Sequence, residues 1–110
     1  MNAMVTTDAA RRLALALPEA VEQDHHGFAS FRVDGKIFAT MPDPDHVNVM
    51  LDETGIHDAV LVDARACSEV WWGKKLAAVR VALAHVDEEL LRTLLRDAWT
   101  RKAPRKLRAR

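Results

Sequence analysis

Two short clusters of histidine and aspartate are the stretches of this sequence that could do acid–base or metal chemistry. They are Asp24-His25-His26 and Pro42-Asp43-Pro44-Asp45-His46. Imidazole and carboxylate groups are common metal ligands and proton carriers. Adjacent residues of an extended segment point to opposite sides, so His25 and His26 are not expected to chelate one ion. The second cluster is explained as a rigid polar turn. We therefore predict structural or solvated roles for both clusters.

Other sequence motifs of catalysis and cofactor binding are missing. The chain has no phosphate-binding glycine loop, no zinc-binding His/Glu helix and no nucleophile elbow. Cys67 is the single cysteine, which excludes an internal disulfide and favours a reducing compartment. Without a neighbouring base, this small apolar side chain is expected to be packed rather than reactive. The sequence therefore predicts a protein that is not an enzyme, with no catalytic residues, no metal and no cofactor.

Basic residues are concentrated at the C-terminus of a chain whose total charge is zero. Residues 1–90 hold 8 basic and 15 acidic residues, a net charge of −7, and residues 91–110 hold 8 basic and 1 acidic, a net charge of +7. We call residues 101–110 the basic arm; its cations are Arg101, Lys102, Arg105, Lys106, Arg108 and Arg110. Such an arm could neutralise DNA phosphates. The explanation favoured by the residues alone is that the arm compensates a helix dipole and keeps the protein soluble.

The segment Phe28–Met41, FASFRV-DG-KIFATM, predicts a β-hairpin around which the other elements are arranged. Asp34-Gly35 tolerates the positive φ angles of a two-residue type I′ turn. If Val33 pairs with Lys36, the expected pairs are Phe31 with Phe38 on one face, and Phe28 with Met41 and Arg32 with Ile37 on the other. Apolar side chains on both faces favour a central strand pair, covered by helices on one side and by chain or a partner on part of the other.

The remaining periodicity predicts helices before and after this hairpin and a second hairpin near the C-terminus. The predicted elements are a helix from Thr6 or Thr7 to Pro18, a polar link over 19–27, a third strand over 46–51, a helix from Glu53 to about Ala64, a hairpin over 69–83 turning at Gly73-Lys74-Lys75, and a helix from Asp87 to Pro104. This order predicts one α+β domain over residues 1–110, α-β(3)-α-β(2)-α, with a five-stranded antiparallel sheet packed against helices in two layers.

Neither an export signal nor a membrane span is expected. Arg11-Arg12 precedes an apolar run of only Leu13–Leu17, shorter than the ~7 to 15 residues of a signal-peptide core. No stretch approaches the ~20 apolar residues that cross a bilayer. We therefore expect a cytoplasmic protein.

Several of these segments together resemble the MmcQ/YjbR family over about residues 7 to 103. The segments that carry the resemblance are Leu17-Pro18-Glu19, His26-Gly27, residues 31–40, Trp72-Gly73-Lys74-Lys75, Val86-Asp87 and Asp97-Ala98-Trp99. The resemblance implies a two-layer fold similar to secretion chaperones and the CyaY-like double-wing group, and a DNA-binding role without catalytic residues. The family commonly has a Trp soon after Gly-Lys-Lys, where this chain has Leu76-Ala77-Ala78, and Trp71 could partly substitute for it.

The two hairpins would then be wings that touch the DNA backbone together with the basic arm. The predicted nucleic-acid contacts are Arg32, Lys36, Lys74, Lys75, Arg80, Arg101, Lys102, Arg105 and Lys106. Hairpin tips are also ordinarily charged for solubility. The alternative function is a module that binds a protein partner, a second copy or a small ligand, with no nucleic-acid role.

Overall fold

The computed structural model describes residues 5–109, which form four helices and one six-stranded antiparallel sheet. The helices are α1 Thr7–Leu15, α2 Glu53–Val62, α3 Glu88–Lys102 and α4 Arg105–Arg108. The strands are β1 Val21–His25, β2 Phe28–Val33, β3 Lys36–Asp43, β4 His46–Val49, β5 Cys67–Trp72 and β6 Lys75–Ala82. Their order in the sheet is β1-β2-β3-β4-β6-β5. The α+β class with an antiparallel sheet is confirmed.

The sheet has one strand more than predicted, because the expected polar link contains β1. This strand pairs with β2 from Val21↔Arg32 to His25↔Phe28. Its first four residues are all exposed, so the sequence lacks the apolar alternation that identifies a strand. The available signal was His26-Gly27, where both residues have positive φ (54° and 93°) and form a tight turn.

The central hairpin turns as predicted, but its register changes after two pairs. Asp34 and Gly35 have φ of 53° and 76°, and Val33↔Lys36 and Arg32↔Ile37 are paired. Phe31 then lies opposite Ala39, and Ala29 lies opposite Met41. The predicted pairs Phe31–Phe38 and Phe28–Met41 are therefore wrong, because Phe38 is an extra residue in a β-bulge. Because of the bulge, the residues of β3 after Phe38 point to the opposite faces of the sheet from those predicted. Met41 is accordingly buried.

Helix α3 packs its apolar stripe against the sheet and forms much of the core. The stripe consists of Leu91, Leu94, Leu95, Ala98 and Trp99. It contacts strands β3 and β4 and belongs to the same core cluster as the buried strand residues Phe31, Val49 and Val79. The Trp99 indole Nε1 donates a hydrogen bond to the Pro18 carbonyl oxygen at 3.0 Å, which ties α3 to the turn that follows α1. Burial of this continuous stripe is the main force that fixes α3 on the sheet.

The helix ends agree in position with the predicted caps, although one cap differs in its bonding. The Thr6 hydroxyl accepts from the Ala9 amide at 3.0 Å, and the Asp52 carboxylate accepts from the Gly55 amide at 2.8 Å. Asp87 occupies the N-cap of α3 but makes no side-chain capping bond. Pro104 follows the end of α3, as predicted. Within residues 5–109 no helix is both long enough and apolar enough to cross a bilayer.

The basic arm is folded onto the domain over its described part. Arg101 and Lys102 are the last residues of α3, and Arg105–Arg108 form α4. Ala103 and Leu107, which lie between charged residues in the sequence, are buried in the core. Their apolar contacts hold the segment against the domain. Arg110 lies outside the described residues.

Candidate functional site: a cationic cleft at the split end of the sheet

The sheet splits where β4 ends. Beyond Val49 the chain leaves toward α2, while β3 and β6 continue on either side without a strand between them. Each of these strands has a bulge next to the split, at Phe38 in β3 and at Ala77 in β6. Bulges bend the strands that contain them. A cleft of about 740 Å³ opens at this position.

The same topology brings both hairpin tips to one end of the sheet. Because the sheet is antiparallel in the order β1-β2-β3-β4-β6-β5, strands β2 and β5 run in the same direction. The β2–β3 turn at Asp34-Gly35 and the β5–β6 turn at Gly73-Lys74 therefore share an end. Lys36 and Lys75, the first residues after the two turns, both line the cleft.

Four cationic side chains among the described residues line this cleft. They are Lys36, Lys75, Arg101 and Lys102. Arg101 Nη1 donates to the Met50 carbonyl oxygen at 2.8 Å, which fixes the end of α3 over the segment leaving β4. Within residues 5–109 none of the four cations forms an ion pair with a carboxylate. We call this set the cleft cations.

The cleft cations repel one another. Burial, followed by the charges of Arg101, Lys75 and Lys36, lowers the pKa of the Lys102 ammonium below its ordinary value. Like charges lower the pKa of a base because they disfavour its protonated form. An anion among them would relieve this repulsion.

Acidic and aromatic side chains complete the wall of the cleft. Asp52 and Glu53, at the start of α2, reduce its formal charge from +4 to +2. Trp72, Phe28 and His25 are its aromatic lining. Trp72 lies opposite Lys75 in the β5–β6 register, so an indole ring and an ammonium group are cross-strand neighbours.

The other predicted contacts lie outside the cleft. Lys74 is in the β5–β6 turn and does not line it. Arg32 Nε donates to the Ser30 hydroxyl at 3.1 Å, and Arg80 Nε donates to Asn48 Oδ1 at 3.2 Å. Arg80 lies between the buried Val79 and Val81 and so faces away from the helices.

Arg105 and Lys106 are exposed on α4 and do not line the cleft. The structure thus brings together four of the predicted residues and separates the other five. Sequence reasoning missed the contributions of Phe28, His25 and the α2 start, because the split of the sheet has no local signal.

The histidine and aspartate clusters form local pairs. The rings of His25 and His26 are 4.5 Å apart in an edge arrangement. His46 Nδ1 lies 2.9 Å from Asp43 Oδ1, and this hydrogen bond is the main cause of a lowered Asp43 pKa. Among the described residues, no group of three or more potential metal ligands is present.

Cys67 is buried in the core, as predicted. Burial, with a smaller contribution from Asp63, raises the pKa of its thiol to about 11. The thiol is therefore protonated at neutral pH, which agrees with a packing role.

Helices packed on one antiparallel sheet, in two layers, make this an α+β protein. Comparison with known proteins identifies its family. The family model described as YjbR matches residues 15–101. The chain belongs to the YjbR family. The crystal structure of Deinococcus radiodurans protein DR2400, a DUF419 domain, is similar with a TM-score of 0.72 at 23% identity, covering 87% of this chain and 77% of that one. No curated protein matches the chain. The similarity to DR2400 supports the fold alone.

Proposed function

We propose that the protein is a non-enzymatic DNA-associated protein that contacts the phosphate backbone through its two hairpin tips and the end of α3. The observation that carries this proposal is the convergence of Lys36, Lys75 and Lys102 at one end of the sheet. These cations come from two separate hairpins and a helix, and they have no carboxylate partner among the described residues. Family membership adds the DNA-binding role that the sequence resemblance implies.

The proposed contacts extend from the cleft to exposed cations beside it. Lys74 in the second turn and Arg105 and Lys106 on α4 are exposed, so they are available to a backbone that spans both wings. Arg32 and Arg80 are engaged with polar side chains of the sheet and would make weaker contributions. We also propose the cytoplasmic location expected from the sequence, which fractionation of cells producing a tagged protein would test.

Fluorescence anisotropy with a labelled duplex at several salt concentrations tests this function. Four phosphate contacts correspond to a log–log slope of about −3.6, since each contact contributes about −0.9. The double variant Lys36→Met/Lys75→Met is expected to reduce the slope by about 1.8. Arg92→Met is the matched control, because Arg92 lies on α3 but is paired with Glu88 and Glu89. Absence of binding at low salt would overturn the proposal.

The alternative, a module for a protein partner or small ligand, is favoured by different observations. The cleft volume of about 740 Å³ lies in the range of small-molecule sites. In addition, Leu61 and Val62 of α2 and Trp71 of the edge strand β5 are exposed on neighbouring elements. Sedimentation velocity tests self-association through that surface: a concentration-independent monomer would count against a homodimer.

A further inference from the structure

We propose that the cleft binds a phosphate monoester attached to a planar ring, the chemistry of a nucleoside 5′-phosphate, with the phosphate among the cleft cations and the ring against Trp72. This deepens the small-ligand alternative and does not depend on binding of duplex DNA. The same chemistry occurs in a free nucleotide and at the 5′-phosphorylated end of a strand.

Charge is the first argument for a monoester. The cleft cations and the two carboxylates of Asp52 and Glu53 give a formal charge of +2. A phosphate monoester carries about −1.5 to −2 at pH 7, whereas each phosphodiester of a nucleic-acid backbone carries −1. The dianion therefore matches the cleft, and a single backbone phosphate leaves part of its charge uncompensated.

The state of the cations is the second argument. The three neighbouring cations act on Lys102 strongly enough to lower its pKa, after burial as the larger cause. Arg101 is held in place by the Met50 carbonyl oxygen, so its guanidinium is positioned before a ligand arrives. An anion site with one guanidinium already held in position loses less ordering entropy when the ligand binds.

The aromatic wall is the third argument and defines the attached group. Trp72 is 57% exposed although it lines the cleft. It lies opposite Lys75 across the β5–β6 ladder, so a phosphate on Lys75 places its neighbouring group at the indole. Stacking on such a ring is available to any planar base, and Asn48 and Thr40 supply polar groups further along the wall.

Isothermal titration of the full chain with four probes tests the assignment. The probes are adenosine 5′-monophosphate, cyclic 3′,5′-adenosine monophosphate, adenosine and inorganic phosphate. We expect the monophosphate to bind at least tenfold more tightly than each of the others, because only this probe combines a dianion with a ring. Equal affinity for the monophosphate and its cyclic diester, or no binding of the monophosphate at millimolar concentration, would overturn the proposal.

Two pairs of neighbouring residues supply matched variants. Lys75→Met is expected to weaken binding of the monophosphate at least tenfold, and Lys74→Met, one residue away in the turn, less than twofold. Trp72→Ala is expected to weaken binding of the monophosphate but not of inorganic phosphate. Trp71→Ala is its control, since Trp71 is similarly exposed (53%) and does not line the cleft. Equal losses within either pair would contradict the site, and circular dichroism of each variant verifies the fold.

The source of the ligand and the independence from DNA are tested together. A hairpin oligonucleotide with a 5′-phosphate is compared with the same oligonucleotide carrying a 5′-hydroxyl. Tighter binding of the phosphorylated form, competed by adenosine 5′-monophosphate, assigns the site to strand ends. Binding of the free nucleotide without this difference assigns it to a small molecule. Duplex binding that persists when both nucleotide tests fail would overturn the cleft ligand and leave the proposed DNA function standing.

Discussion

The helix-covered middle of the sheet and its split end differ in how their groups are partnered. In the middle, Phe31, Val49 and Val79 are buried in one core cluster with the apolar stripe of α3. The buried Ser30 hydroxyl donates to the Gln23 carbonyl oxygen at 2.9 Å, and no buried side-chain polar atom among the described residues lacks a partner. At the split end, the cleft cations have no carboxylate partner in the described chain.

We infer from this difference that the middle of the sheet provides most of the stability, whereas the split end is the region available for binding. Apolar burial contributes about 25 cal/mol per Å², and the middle of the sheet supplies most of it. Mutual repulsion of the cleft cations opposes folding, so the split end is held by the surrounding structure. Substitutions in the two regions should therefore change different properties, and can have opposite signs.

The largest effect is expected in the middle. Phe31→Ala removes a ring that is 1% exposed and should lower the free energy of unfolding by about 3 to 5 kcal/mol, because it leaves a cavity. Urea denaturation followed by tryptophan fluorescence measures the change. Ile37→Ala, at a half-buried position of the adjacent strand, is the control, with an expected loss below about 2 kcal/mol. Equal losses would contradict the assignment of the core to the helix-covered face.

The reactivity of Cys67 measures how tightly the buried start of the edge strand β5 is held in the core. A pKa of about 11 instead of 9.0 reduces the thiolate fraction at pH 8 about 100-fold. We therefore expect the native protein to react with a disulfide reagent at least 100-fold more slowly than the protein in denaturant. A native rate within tenfold of the denatured rate would show that this strand opens readily.

The turns and most element boundaries follow from local chemistry, which explains why the sequence predicts them. Asp34-Gly35 and Gly73 have the positive φ angles that their residue types favour, and Asp52 caps α2 through its own side chain. The bulge at Phe38 depends on neighbouring strands instead, so the predicted pairing of Phe31 with Phe38 could not be corrected from the sequence. Strand β1 was missed because its stability comes from backbone pairing with β2.

The candidate site divides in the same way. Lys36 and Lys75 are recognisable as tip residues from the turns before them, but their convergence with Lys102 depends on the strand order. The basic arm was identified by composition. The packing of the arm onto the domain depends on the buried Leu107. In the sequence, the only sign of this burial is that Leu107 is an apolar residue within a charged run. Deletion of this segment would therefore disturb the core, and charge substitutions are the cleaner test of binding.

A smaller effect is expected at the hairpin tip that presents Lys36. Gly35→Ala adds a methyl group that would meet no atom within 4 Å, but φ is +76°. The left-handed conformation costs an L-residue about 1 to 2 kcal/mol, and thermal denaturation should show a loss of this size. Gly35→Asn is the control, because Asn tolerates this conformation and should lose less. A loss of stability as large as that of Phe31→Ala would contradict the view that the hairpin tip contributes less to stability than the middle of the sheet.

The smallest expected changes in the free energy of unfolding are those of Lys102→Met and Arg92→Met, and they have opposite signs. Lys102→Met keeps the aliphatic chain and removes one of four repelling charges, so it should raise the free energy of unfolding at pH 7 by at most about 1 kcal/mol. Arg92→Met on the same helix removes the partner of Glu88 and Glu89 and should lower it by a few tenths, about 0.3 to 0.5 kcal/mol. Chemical denaturation of the two variants and the parent measures both.

The pH dependence of this gain provides a further check on its cause. The pKa of Lys102 is lower in the folded protein than its ordinary value of 10.5, so between these two values the unfolded chain binds more protons and the stability contributed by Lys102 rises with pH. The advantage of Lys102→Met should therefore shrink as the pH rises from neutral toward 10.5. An advantage that is constant over this range would assign the gain to packing of the Met side chain, and a loss of stability at pH 7 would show that Lys102 has a stabilising partner at the split end.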